Sequence, residues 1–533
     1  MDKEFESLTS KNTGTLVPPP STEKVIGGMW RLIRKILKYK ARWVCFGNHQ
    51  EHVVNYYDTY AAVARLESFK ILLSLMVNRK YSAYQFNVET AFFYGEMDAP
   101  NYISQVANYK APGKETWVWK LNKSLYGTKQ APQQWKAHLV STLCKLDLVS
   151  ANTDECLSFN TNRTLFLHIH VDNGFIIGET AEIIKNFLTQ LSKLYSIKTK
   201  KKPTQHLGYT LSWQQNGSVI LHQQEFCSKI LEEFNMSSSN SIKTPAPANI
   251  HNVVAQVSSP FSNLTMQKAI GMLNYLALHT RPNIMFTTNL LSQFTNQPTT
   301  AHWSLVKHLL RYLNGTQCLG LHFTKSKHPE SELAGWADTD YTTSLVTKKL
   351  HSVYVIMFLG NPISWNTKKQ PVVEQSTTEE EFILMNKCSK EMQWLSNVLT
   401  TLNIKLKVPV LKNDNTGAIK ISKKVQINPN SKHIVVRFQY LQDLVKKNLL
   451  TVQHTLTNDM IGDVLTKALG TVKHHQAIRL LKLVQHDNIT GGDVIIDLTR
   501  IFTTDIITDL HHCCGLINFP VYILVSNLLN SYF

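Results

Sequence analysis

Phe166-Leu167-His168-Ile169-His170-Val171-Asp172-Asn173-Gly174-Phe175-Ile176-Ile177-Gly178 runs through apolar residues to a single acid, breaks at a small polar pair, and resumes apolar. That pattern predicts two strands of a hairpin with Asp172 at the tip. A carboxylate held on a tight turn between buried strands is well placed to meet a metal ion. A surface hairpin with a solvated acid carries the same local pattern, so the order of the neighbouring segments must decide.

Upstream, Tyr84-Gln85-Phe86-Asn87-Val88 reads as a strand running into a turn at Glu89-Thr90-Ala91, and residues 60–78 read as an amphipathic helix. Leu121 to Trp135 leads into another helix through Gln130-Ala131-Pro132. Trp30 to Val44 is densely basic with interleaved apolar residues, which suits a strand or hairpin presenting Lys and Arg to phosphates, or a solvated basic face. Downstream, Leu207-Gly208-Tyr209-Thr210-Leu211 reads as a strand with a glycine turn, and residues 237–262, rich in Ser, Asn, Ala and Pro, as a linker. Two or three amphipathic helices are expected over 265–318, with Lys307 and Arg311 four apart on one face, open to phosphate or simply to water.

At 533 residues the chain is too long for one core, and two to four domains are expected. Lys and Arg outnumber Asp and Glu 56 to 38, a net +18 that suits a polyanionic partner, nucleic acid first. The 8 cysteines form no C-x-x-C pair, which argues against a zinc knuckle or a disulfide framework and fits a reducing compartment. The N-terminus lacks the apolar run of a secretory signal, and the apolar stretch Phe519 to Val525 is shorter than a membrane span. No membrane association is expected.

A second group of acids follows the linker. Leu333 to Tyr341 reads as a strand that places Asp338 and Asp340 on one face, with further strands over 353–359 and 362–365. Ser376-Thr377-Thr378-Glu379 opens a helix with a capping-box pattern. Its apolar positions step from Glu381 through Met385, Cys388, Met392, Leu395 and Leu399, so Glu381 shares the packed face and Glu379 and Glu380 turn away. A buried acid needs a partner, and a metal ion would serve; a helix-dipole acid is the plainer reading. Val408 to Asp414 reads as a strand ending in an acid, Thr416 starts a helix, and Asp459 to Lys467 closes the set.

These segments, in this order, resemble the reverse transcriptase of Ty/copia-type retrotransposons. The likeness is carried by Lys40-Ala41-Arg42, Asp58-Thr59-Tyr60-Ala61, Arg65-Leu66-Glu67-Ser68, Val88-Glu89-Thr90-Ala91-Phe92 and Ser124-Leu125-Tyr126-Gly127-Thr128-Lys129-Gln130-Ala131-Pro132. Gly271-Met272-Leu273-Asn274-Tyr275, Thr280-Arg281-Pro282 and Leu310-Arg311-Tyr312-Leu313-Asn314-Gly315-Thr316 carry it further, so that it covers roughly residues 1 to 470. The resemblance implies an α/β and α+β multidomain chain: a right-hand polymerase of fingers, ferredoxin-like palm and thumb, then a helical connection and a ribonuclease H-like mixed sheet. The implied divisions are a lead-in over 1–39, fingers and palm over 40–236, linker and thumb or connection over 237–330, and a ribonuclease H-like domain over 331–468. Residues 469–533 match no part of the family and are expected to pack poorly.

The family's palm supplies three aspartates to two magnesium or manganese ions. Matched by position, these are Asn87, Asp172 and Asn173, so two of the three carboxylates are amides. Polymerase activity is therefore expected to be absent or nearly so. Lys40 and Arg42 match the fingers cations near an incoming deoxynucleoside triphosphate, and Gln130 the segment lining its pocket. The ribonuclease H acids match Asp338, Glu381, Asp414 and Asp463, all acidic here and all implied metal ligands, and the resemblance implies two-metal hydrolysis of the RNA strand of an RNA–DNA hybrid. Val435 and Gln439 stand where the family usually has Asp and His. The implied partners are an RNA template, an RNA–DNA hybrid and the triphosphate, in a cytoplasmic (virus-like particle) or nuclear setting, not a secreted one. The reading is of a Pol polyprotein fragment with a dead polymerase half and a nuclease half that retains its acids. The alternative is a non-catalytic nucleic-acid-binding relic, or a pseudogene product that is never made.

Overall fold

Leu165–His170 and Asn173–Gly178 pair antiparallel, as the opening stretch predicts. The computed structural model describes residues 1–35, 38–62, 64–326, 332–340, 351–369, 377–423 and 440–486. It places this hairpin inside a six-stranded sheet. Ser82–Val88 lies beside Asn173–Gly178, and Ile197–Lys201 lies beyond it. Both faces are covered, which is why the hairpin reads as a continuous apolar run rather than an alternating one. Phe166, Phe175 and Ile177 join one core, while Leu165, Leu167, Ile169 and Ile176 point into another. Gly174 faces Phe86 in register, and a Cβ there would come within 2.3 Å of the Phe86 ring. The glycine thus admits the aromatic ring that locks the two strands together.

The helix expected over 60–78 runs from Leu66–Arg79 and is not amphipathic. Every residue from Ser68 to Val77 is buried, because the helix lies between this sheet and the C-terminal half of the chain. Lys70 is buried with the rest, its Nζ 3.4 Å from the centroid of Trp365 on the strand Asn361–Lys369. Burial pulls its pKa down to about 7 from 10.5. Between those values the unfolded chain binds the extra proton, so stability rises with pH across that window. Lys70→Met is expected to raise stability near neutral pH, with an upper bound on the order of 5 kcal/mol, and to flatten this rise. Thermal unfolding of both proteins between pH 7 and 10 checks it; an unchanged or lower midpoint for the variant at pH 7 contradicts it.

Gly28–Lys35 and Lys38–Cys45 form the basic ribbon, with Arg31 opposite Arg42. The helical segment holds three helices, Asn263–His279, Met285–Ser292 and Thr300–Gly315. Arg311, grouped above with Lys307, donates from Nε to the Asn240 carbonyl at 2.8 Å, tying the linker to the helices. The linker itself is partly packed: Ala246 and Ile250 are buried, and Ile250–Val254 is a short helix.

The C-terminal half is built on a five-stranded sheet. Leu333–Asp340, His351–Phe358 and Asn361–Lys369 run antiparallel, while Val410–Asn413 lies parallel to the first and Thr451–His454 parallel to it in turn. Thr377–Thr401 packs across this sheet. Residues 470–486 do not pack poorly. Leu483–Gln485 pairs with Leu319–Phe323 as the edge of another five-stranded sheet, and buried His474 bonds Tyr312 Oη at 2.9 Å. Those apolar positions, Ala477, Ile478, Leu481 and Leu483, belong to the main core. Residues 487–533 lie outside the described residues, as do 424–439, which hold Val435 and Gln439.

Candidate functional site

The hairpin turn and the strand beside it define a first site. His170 pairs with Asn173, so Val171 and Asp172 form a two-residue turn. Val171 takes φ +54°, a left-handed conformation that a β-branched residue adopts only under constraint. Two bonds supply the constraint: Trp135 Nε1 donates to the Val171 carbonyl at 2.8 Å, and the Val88 N–H to the Asp172 carbonyl at 2.8 Å. Register places Asn87 opposite Asn173. Asn87 Nδ2 donates to Asn173 Oδ1 at 3.1 Å, and Asn173 Nδ2 to Asp172 Oδ1 at 3.1 Å. Three carboxylates in these positions would repel unless cations lay among them; two amides and one acid satisfy one another.

A cleft of about 290 Å³ opens beside this chain of side chains, lined by Asn87, Asp172, Lys40, Lys11 and Lys198 among others. The helix Asp2–Ser10 forms one wall through Lys3, Glu4 and Ser7. Glu89 at the rim is bonded by Lys198 and Ser196, which hold its carboxyl below the usual range. Burial raises the Glu4 carboxyl, against the pull of Lys40 and Arg42. Arg42 lies half-buried with its guanidinium carbon 4.6 Å from the Tyr126 ring centroid. Gln130 does not line the cleft: it is fully buried, donates to the Asn55 carbonyl at 2.8 Å and accepts from Gln50 at 3.0 Å. Its amide braces the loop beneath instead, because a buried amide must find partners wherever the backbone offers them.

The second site lies where two of the three mutually parallel strands of the C-terminal sheet, Leu333–Asp340 and Val410–Asn413, end. Trp336 pairs with Lys412, so Asp338 and Asp414 fall side by side two residues on. Glu381, on the first turns of Thr377–Thr401, meets them. Asp338, Glu381 and Asp414 offer carboxylate oxygens that all lie within 4.8 Å of one another. Asp338 and Glu381 are 3% and 5% exposed, so water cannot screen them.

Both Glu381 oxygens are fixed. Oε1 accepts from the Thr339 N–H at 3.1 Å and its hydroxyl at 2.6 Å, and Oε2 accepts from Asn413 Nδ2 at 2.8 Å. Burial pushes the Asp338 pKa well up, with the Asp463 and Glu381 charges adding and Lys467 opposing. Burial also raises Glu381, opposed by the Thr339 and Asn413 bonds. A set of hard oxygen donors whose charges oppose one another is what a divalent cation such as magnesium requires. The donor set therefore fits the ion.

One expectation is corrected here. Glu380 is not turned away from the packed face: it is 2% exposed, and Glu381 to Met385 beside it are buried as well. Asp463 lies beside the three-acid group, close enough for its charge to add to those that raise Asp338. It opens the turn Asp463–Thr466 and pairs with Lys467 Nζ at 2.9 Å. The side chain of Asp340 is outside the described residues. Thr339 and Asn413, which orient Glu381, escaped the sequence reading; their only signal was adjacency to Asp338 and Asp414. Trp135, which holds the hairpin turn, gave none.

Residues 11–248 match the family described as reverse transcriptase (RNA-dependent DNA polymerase). The chain is 30% identical over 485 residues to the retrovirus-related Pol polyprotein from transposon TNT 1-94 of Nicotiana tabacum, covering 88% of this chain and 36% of that protein. It is 30% identical over 509 residues to the Pol polyprotein from transposon RE2 of Arabidopsis thaliana, covering 92% of this chain and 34% of the relative. It is also 28% identical over 312 residues to the putative transposon Ty5-1 protein YCL074W of Saccharomyces cerevisiae, 57% of this chain and 100% of that one. The chain spans about a third of the length of the Pol polyproteins it matches. No helix among the described residues is long and apolar enough to cross a membrane.

Proposed function

The chain belongs to the reverse transcriptase family of copia-type transposon Pol polyproteins, and on that premise we propose that it cleaves the RNA strand of RNA–DNA hybrids while its polymerase site no longer adds nucleotides. In this reading the six-stranded sheet is the palm, the basic ribbon belongs to the fingers, the helices over 263–315 form thumb and connection, and the mixed C-terminal sheet is ribonuclease H-like. The observation that carries the nuclease half is the convergence of Asp338, Glu381 and Asp414 at the ends of adjacent strands. A bound divalent cation would supply charge neutralisation at phosphorus and a more acidic water. Asp338, Glu381 and Asp414 would hold it, and the Thr339 and Asn413 bonds keep Glu381 from rotating out of place. Water forms the new bond to phosphorus as the bond to the 3′-oxygen breaks, leaving a 5′-phosphate and a 3′-hydroxyl.

The polymerase half carries the opposite balance. Asn87 and Asn173 bond to one another and supply no charge, which leaves Asp172 the one carboxylate among the three matched positions. The net charge of +18 suits a nucleic-acid partner for either half. The second reading, an inert nucleic-acid-binding relic, is favoured by that amide pair alone. An RNA-labelled hybrid incubated with the protein and magnesium separates the two: cleavage that stops on chelation is expected, and no cleavage by folded protein favours the relic.

A further inference from the structure

Lys467 stands where the fourth acid is expected to hold an ion. We propose that the acid cluster takes one divalent cation, on Asp338, Glu381 and Asp414, and that the Lys467 ammonium occupies the second cation position between Asp463 and Asp338. This rests on the nuclease reading above.

Three features place the ammonium there. Asp463 and Lys467 are four apart around one turn, which brings Nζ to 2.9 Å from Asp463 Oδ1. The same Nζ lies 3.9 Å from Asp338 Oδ2, and the side chain is only 34% exposed. The segment carrying it is pressed onto Asp338. A Cβ at Gly462 would come 2.9 Å from the Asp338 Cβ, and Thr466 Oγ1 donates to Asp338 Oδ2 at 3.0 Å. The glycine and the threonine thus fix the height of the turn over the acid, and Lys467 reaches Asp463 and Asp338 without leaving the site.

The ammonium supplies one of the positive charges that the converging acids call for. An ammonium is a compact charge with three donors, able to bridge two carboxylates as a small cation does. Unlike an ion, it does not exchange with solvent. Cleavage should then depend on divalent metal with single-site saturation.

Manganese binding to the full chain, followed by electron paramagnetic resonance on an uncleavable hybrid with a 2′-O-methyl RNA strand, tests this. Asp172→Asn is included throughout so that the polymerase cleft contributes nothing. One tightly bound ion is expected, rising to two in Lys467→Met and staying at one in Lys467→Arg. The metal dependence of cleavage should steepen from first to second order in Lys467→Met. Two ions with Lys467 in place overturn the Lys467 assignment and leave the nuclease reading standing, as does a count of one in a folded Lys467→Met protein. No bound ion overturns the nuclease reading itself.

Discussion

Asn87→Asp together with Asn173→Asp is expected to restore template-directed primer extension, by roughly a thousandfold or more over the background of the parent chain, since one positioned electrostatic group is commonly worth about a hundredfold. The backbone is already in register for it. Asn87 and Asn173 are direct partners across two strands, and Asp172 is held at the turn by bonds to its own and the preceding carbonyl. What Asn87 and Asn173 lack at these two positions is charge. Either change alone should recover little, because the acids act on shared ions and their effects do not add. The double variant carries a second signature. Three acids within hydrogen-bond reach repel, so it should unfold more easily than the parent in chelator and regain stability with magnesium. A folded double variant with no extension would place further damage elsewhere in the cleft.

Glu381→Gln is expected to abolish hybrid cleavage, by about a hundredfold or more. The loss exceeds that of one charge. Both Glu381 oxygens accept hydrogen bonds, from Thr339 on one side and Asn413 on the other. An amide has one acceptor oxygen, so its NH₂ must face a donor whichever way it turns. A buried donor facing a donor costs about 1–3 kcal/mol, and the strain would push residue 381 off the Asp338–Asp414 pair. Cleavage rate with unfolding temperature checks this: the rate should collapse and the midpoint should fall. Full activity in Glu381→Gln would remove Glu381 from the site.

Much of this arrangement was legible in the chain. The hairpin announced itself because both of its faces are buried, which leaves an apolar run broken only at the turn. Asp338, Glu381 and Asp414 were legible because each lies at a strand end or helix start with a readable period. What stayed hidden depends on contacts between distant segments. The helix Leu66–Arg79 looked amphipathic because of Lys70 and its serines, yet Trp365 of the C-terminal half covers Lys70 and Asp154 of the six-stranded sheet accepts from Ser68. Glu380 looked exposed because a single packed stripe was assumed, whereas every residue from Glu380 to Met385 is buried. For Asp463 the likeness fixed a position in the order and gave no sign of its partner, Lys467. Residues 471–486 offered no motif that the sequence reading recognised and still complete a sheet, through strand pairing that no local pattern foretells.

On the proposed reading, one half of this chain kept its metal chemistry and the other lost it. A single reaction reads both: the unaltered protein, magnesium, deoxynucleoside triphosphates, and a primed RNA template labelled on each strand. The RNA of the hybrid region is expected to be cut while the DNA primer stays at its original length. A lengthened primer, or intact RNA from protein shown to be folded, would contradict it.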